Sequence, residues 1–289
     1  MVVPNHIKDA ARRGDVTTVR EWLDTDAAHD VNDFDGFGVG LLEYAGGCLN
    51  LQRGNAMIAF LLARGVDVNQ ERRGSSMSYK TLHNACYWAS FGAVKLLVSH
   101  GADVNLLSRD AVSDSIQHSP LSIVAGSLDH NMSIGGGDVV RLRHKANLTG
   151  RTLTTLCRDT YDCIVFLLRA GASLDGRHSW RPGACLERRI GDVPSPAHPD
   201  YLPKMELKRS RDLLAAVRAA GSYRKWCLAP PKEVLALRSL IARGRAREKA
   251  TTPRRLAWLM SPNVPNEIAW RVLEYWNPRS DGTKYHREY

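Results

Sequence analysis

No run of apolar residues in this 289-residue chain approaches the ~18 that a membrane-spanning helix needs. The start, Met1-Val2-Val3-Pro4-Asn5-His6, has no basic segment followed by an apolar one, so no export signal is expected. Cys48, Cys86, Cys157, Cys163, Cys185 and Cys227 form no Cys-x-x-Cys pair and match no zinc-finger spacing. They read as reduced, buried thiols, which implies the cytosol or the nucleus. Gly-x-Ser-x-Gly, His-Glu-x-x-His and kinase signatures are also missing. Gly135-Gly136-Gly137-Asp138 is followed by no Lys-Ser/Thr, so it is no phosphate cradle. Asp33-Phe34-Asp35-Gly36 would put Val31 and Leu42 at the end positions of a calcium loop, where ligands are required. Its acids and glycine fit a turn instead. These absences predict no enzyme, no cofactor and no metal.

Hydrophobic residues make up 44% and charged residues 24%, which places the chain among globular proteins. The net charge of +10 is unevenly spread. Residues 1–175 hold 17 Lys/Arg against 19 Asp/Glu, whereas 176–289 hold 23 against 11. The basic excess belongs to the C-terminal part, so two regions with different tasks are expected.

The first region repeats itself. Phe60-Leu61-Leu62-Ala63-Arg64-Gly65-Val66-Asp67-Val68-Asn69 aligns with Leu96-Leu97-Val98-Ser99-His100-Gly101-Ala102-Asp103-Val104-Asn105. Phe166-Leu167-Leu168-Arg169-Ala170-Gly171-Ala172-Ser173-Leu174-Asp175 aligns with both. Thr81-Leu82-His83-Asn84-Ala85 and Ser119-Pro120-Leu121-Ser122-Ile123-Val124-Ala125 open two of the units, and Ala10–Val16 with Val19, Trp22 and Leu23 reads as a polar first unit. On these motifs residues 1–175 resemble ankyrin-repeat proteins. The resemblance implies an all-α fold: a solenoid of about four to five stacked units, followed by a small helical C-terminal module. Between 106 and 175 the spacing favours two units over one unit carrying a long insert, with an insertion near 126–137 in either case. One helical hairpin cannot cover its own apolar face, so neighbours stack and share a core. His83 is expected to bond backbone between neighbouring loops.

The resemblance further implies a protein partner bound by loop tips and inner helices. Glu71, Arg72, Arg73, Leu107, Arg109 and Asp110 would lie on the tips. Asn84, Tyr87 and Trp88 would lie on or beside an inner helix. Trp88 is either an aromatic hot spot or core.

Residues 176–208 read as a linker, punctuated by Pro182, Pro194, Pro196, Pro199 and Pro203. Helical patterns return over 209–289: one capped by Ser210, one starting at Pro230-Pro231, one at Thr252-Pro253, one at Pro265. Residues 204–255 hold 15 Lys/Arg and 4 Asp/Glu. They read either as a nucleic-acid surface or as the solvated side of amphipathic helices, Arg238 among them. Ala236–Arg243 is similar to the first helix of a SOCS box, and Val264–Ile268 with Val272–Trp276 looks like the proline-led helix that follows, or the opening helix of an F-box. That resemblance implies ubiquitin-ligase subunits as partners, through Leu237, Leu240, Ile241, Pro265, Ile268, Val272, Leu273 and Trp276. The plainer reading is a helical cap on the open end of the solenoid.

Overall fold

The computed structural model describes residues 2–70, 80–109, 117–126, 138–174, 201–247, 252–261 and 263–275. These residues are mostly helical. Compactness divides the chain into two units, Met1–Ala215 and Ala216–Tyr289.

The first unit opens with α1 (Asn5–Arg13) and α2 (Val16–Thr25), followed by α3 (Leu41–Gly46) and α4 (Leu51–Ala63), then α5 (Thr81–Tyr87) and α6 (Phe91–Ser99). A two-residue ribbon, β1 (Ser108–Arg109) antiparallel to β2 (Gln117–His118), leads into α7 (Pro120–Gly126). Then come α8 (Asp138–Leu148), α9 (Leu153–Arg169) and α10 (Tyr201–Ala220), whose last five residues belong to the second unit. Among the described residues four pairs of helices pack together: α1 with α2, α3 with α4, α5 with α6, and α7 with α9. First helices pack on first helices, α1 on α3, α3 on α5 and α5 on α7. Second helices pack on second helices, α2 on α4, α4 on α6 and α6 on α9. The shared core is aliphatic. Ile7, Leu41, Leu42, Met57, Ile58, Leu61, Leu97, Leu121, Leu156, Ile164 and Leu167 have essentially no exposed surface. Each such side chain is worth about 1.5–3 kcal/mol when buried, and no pair could hide them alone.

The two-unit reading of residues 106–175 does not hold. Residues 150–169 supply one unbroken helix, α9, which occupies the second-helix position beside α6. Its first-helix partner is α7, and α8 is an extra helix held between them in sequence. The aligned ends Gly101 and Gly171 made 70 residues look like two repeats. The surplus includes α8; the insertion expected near 126–137 lies almost wholly outside the described residues.

Backbone geometry marks the repeated loops. Gly65, Gly101 and Gly171 have φ of 82°, 88° and 94°, a left-handed conformation that glycine adopts without a Cβ penalty. Each is followed by a residue whose N–H reaches back into the helix: Val66 to Leu61, Ala102 to Leu97, Ala172 to Leu167. Gly14 (φ 70°) ends α1 in the same way, and a Cβ there would lie 2.6 Å from the Arg53 side chain.

α10 starts at Tyr201, inside the span its prolines had marked as linker. Pro203 falls in the first turn, where a backbone N–H has no intrahelical acceptor, so the ring costs the helix little. Residues 176–200 lie outside the described residues.

The second unit holds α11 (Tyr223–Ala242), α12 (Arg254–Met260) and α13 (Asn266–Tyr275). α11 starts eight residues before the expected Pro231 region, because Ser222 accepts a hydrogen bond from Lys225 N (3.1 Å) and caps it there. Val234, Leu259, Met260, Val264, Ala269 and Leu273 form the core of this unit, with Leu235, Ile241 and Leu256 packed against it. No described helix is long and apolar enough to cross a membrane.

Candidate partner-binding surface

His83 ties the α5 start to the loops beside it. It is fully buried. Its Nδ1 accepts from Lys80 N (3.2 Å), which leaves Nε2 as the N–H, shared between the carbonyls of Leu106 (3.0 Å) and His118 (3.1 Å). Burial, partly offset by those two carbonyls, lowers its pKa to about 4, so the ring is neutral. Its role is therefore to hold loops, as the residue pattern suggested.

Asparagines join the loops in series. Asp67 N donates to Asn32 Oδ1 (2.7 Å), Asp103 N to Asn69 Oδ1 (3.0 Å), and Ser173 N to Asn105 Oδ1 (2.7 Å). Asn69 and Asn105 return the bond through Nδ2, to Gly101 O (3.0 Å) and Gly171 O (3.2 Å). The bridge from Asn105 skips 66 residues and still lands on the equivalent atoms. Residues 171–173 thus stand one step beyond 101–103. The repeated Asp-Val-Asn ending was visible in sequence; the bonding role of its asparagine was not.

At the other end of α5 the chain covers its own surface. Tyr87 is 43% exposed and Trp88 half-buried, their rings meeting edge to face at 5.1 Å. Lys145 of α8, itself buried, donates to Tyr87 O (2.7 Å) and lies 3.6 Å from the centre of the Tyr87 ring. Arg151 donates to Trp88 O (2.5 Å) and Ala89 O (2.9 Å) and pairs with Asp159 (2.7 Å). These cations close the α5–α6 turn, where Ala89 carries φ 48°. The expected site residues are thus separated. Asn84 is half-buried on α5, and Leu107 is half-buried after the loop that His83 holds. Tyr87 and Trp88 sit at the opposite end of α5, engaged by the insertion. The backbone of Arg109 lies in β1, while Glu71, Arg72, Arg73 and Asp110 are outside the described residues.

Asp35, read as a turn residue, is also a buried hub. Its carboxylate accepts from Phe37 N and Val39 N (both 2.9 Å) and from Tyr44 Oη (2.6 Å), and lies 3.3 Å from Lys8 Nζ. Burial alone would raise its pKa, but these donors outweigh it and hold the group below the usual carboxylate range.

In the second unit, Leu273 is core, but Leu237 (45%), Ile268 (43%) and Val272 (37%) are exposed, so the residues expected to contact ligase subunits divide between interior and surface. Leu240 and Ile241 are half-buried, Pro265 precedes α13 and is exposed, and Trp276 is outside the described residues. Arg238 corrects its expected place on the solvated side. It is 5% exposed and donates to Leu259 O (2.7 Å), Ser261 O (2.8 Å) and Asn266 Oδ1 (3.2 Å). The end of α12 and the start of α13 offer carbonyl acceptors that only a long, forked donor reaches from α11. Apolar periodicity could not reveal this.

Nothing described converges on a reacting atom. Among the described residues no group of three or more His, Cys, Asp or Glu is placed to hold a metal. Cys48, Cys86, Cys157 and Cys163 are buried free thiols, and burial raises the pKa of each.

The family model of the ankyrin repeat matches residues 82–109, the segment that holds α5, α6 and the loop bridged by Asn69. Residues 82–109 are an ankyrin repeat. No curated protein matches the chain. Ankyrin repeats are typically non-catalytic protein-interaction units, so the repeat points to a protein partner.

Proposed function

We propose that the chain is a non-catalytic protein-binding scaffold whose residues 1–175 form a four-unit ankyrin solenoid, with the partner held along the loop tips and first helices. The observation that carries this reading is the asparagine series. The same bridge that joins the matched repeat to its predecessor also joins it to its successor, which extends the repeat's geometry beyond 82–109. Stacking of this kind presents neighbouring first helices in a fixed row, which lowers the ordering cost of binding a partner. Asn84 and Leu107 anchor the proposed surface. Glu71, Arg72, Arg73, Arg109 and Asp110 join it by sequence position. Tyr87 and Trp88 are assigned to the insertion. The separate helical module is the second unit, from Ala216 onward, and the buried thiols support a reducing compartment, the cytosol or nucleus. Proximity labelling with the full chain tests the reading. Leu107→Glu should lose a set of labelled proteins that wild type and Tyr87→Ala retain, with thermal unfolding unchanged. Equal labelling by Leu107→Glu removes the tip assignment.

A second reading, an adaptor that brings a client to a cullin ubiquitin ligase, is supported by the exposed Leu237, Ile268 and Val272 of the second unit. Capture with the full chain should then retain a ligase subunit that Leu237→Asp loses; the absence of any such subunit discards this reading. Nucleic-acid binding over 204–255 has less support, because Arg238 is committed inside the fold.

A further inference from the structure

We infer that the groove between α11 and α13 is a docking site for an acidic amphipathic segment of a partner protein. The site is independent of the loop-tip surface. The groove, about 550 Å³, is lined by Leu235, Arg238, Ala242 and Arg243 of α11 and by Asn266 and Trp270 of α13.

Leu235, Arg238 and Ala242 recur at three- and four-residue spacing and so share one face of α11. Leu235 also packs on the core of its unit, which gives the groove a firm apolar floor. Trp270 is 57% exposed on the opposite wall. A large aromatic ring beside an apolar floor gains most from a covering aliphatic side chain, and Trp and Arg dominate measured binding energy.

The charge selects the partner. Among the described residues Arg238 donates to neutral acceptors, two backbone carbonyls and the Asn266 amide oxygen. Among the described residues no carboxylate pairs with this buried guanidinium. Arg243, exposed, adds a second cation at the same groove. Arg245, Arg247, Arg254 and Arg255 are exposed in the same unit and add to its positive field. A carboxylate entering the groove would gain charge-assisted hydrogen bonds in a partly desolvated place, while the outer arginines speed its approach.

A polynucleotide fits less well. Its phosphates satisfy the arginines but bring no aliphatic group for Leu235 and Ala242. A small inorganic anion leaves Trp270 uncovered. A helix with leucines on one face and glutamates flanking them supplies both chemistries at the spacing the groove offers.

The test uses the full chain and a fluorescent synthetic helix carrying Leu at i, i+3, i+4 and i+7 and Glu elsewhere, read by anisotropy. Binding should weaken at high salt, and Trp270→Ala and Arg243→Glu should each weaken it about tenfold or more. Both residues lie outside the Val234–Leu273 core, so circular dichroism and the melting temperature should not change. Trp270→Phe should recover part of the affinity if the ring is the anchor. The inference is overturned if the acidic helix does not bind at low salt, if both variants bind as wild type does, or if a Lys-for-Glu helix binds equally. It is also overturned if a single-stranded oligonucleotide displaces the helix and binds more tightly in a Trp270-dependent way.

Discussion

His83 is a titratable group placed where it must stay neutral. Its folded pKa, about 4, lies below the ordinary 6.5. The unfolded chain therefore binds more protons between those values, and stability is complete above pH ~6.5 and lost as pH falls toward 4. About 2 kcal/mol should go between pH 7 and pH 5 from this residue alone. His83→Gln should flatten that part of the stability profile, measured by urea unfolding at the two pH values. An unchanged slope would refute the buried neutral imidazole. Asp35, held below its usual range, acts in the same direction at lower pH, through protonation of its carboxylate. Arg238 is the corresponding keystone of the second unit. Arg238→Met keeps the apolar stem but strands the acceptors of Leu259 and Ser261, at a cost of about 3 kcal/mol. Arg238→Lys should recover less than half, since one ammonium cannot reproduce the fork. Chemical unfolding followed by tryptophan fluorescence, Trp258 and Trp270 lying in this unit, reads both.

Among the elements, the loops of the first unit are joined by bonds rather than by apolar area. Asn69→Ala and Asn105→Ala each remove an accepted and a donated backbone bond at exposed sites, and each should cost about 1–2 kcal/mol. Asn105→Ala should in addition raise hydrogen exchange at Ser173, which locates the loss at the last step of the series. Equal protection at Ser173 in the variant would contradict the bridge. The α5–α6 turn is an element closed by a distant one. Arg151→Ala removes two carbonyl contacts and the Asp159 pair, and should loosen α8 without unfolding the stack. Faster exchange confined to residues 138–152 and 87–90 is the expected result. α11 contains its own weak point: Pro230 and Pro231 supply no N–H to the helix ladder, so the flanking amides of 227–229 and 232–233 should exchange faster than those of 234–241.

Across the whole molecule, the two units divide the charge as well as the contacts. The second unit, 216–289, holds 15 Lys/Arg against 6 Asp/Glu, whereas 1–215 hold 25 against 24, so salt should alter the second unit's binding more than the first unit's. Four thiols mark the interior of the first unit. Cys48, Cys86, Cys157 and Cys163 should resist alkylation in the native chain and react together on unfolding, whereas half-exposed Cys227 should react early. Peptide mass spectrometry reads this directly. Early labelling of Cys86 or Cys163, both fully enclosed, would argue against the stacked core.

The sequence by itself determined that the front of the chain is built of helical hairpins. Gly65, Gly101 and Gly171 with their leucine-rich approaches, and Thr81–Ala85, state the repeat locally, because a helix face and a left-handed cap depend on near neighbours. His83 could be assigned to loop bonding on the same ground. Tertiary structure alone decided which described helices pair, α7 with α9, since a 70-residue spacing fits either two repeats or one repeat with an insertion. It also decided that Lys145 and Arg151 cover Tyr87 and Trp88, that Arg238 is interior, and that Trp270 faces a groove. A charged residue on an amphipathic pattern looks solvated until a helix end elsewhere in the chain brings carbonyls to it, and no local spacing encodes that meeting.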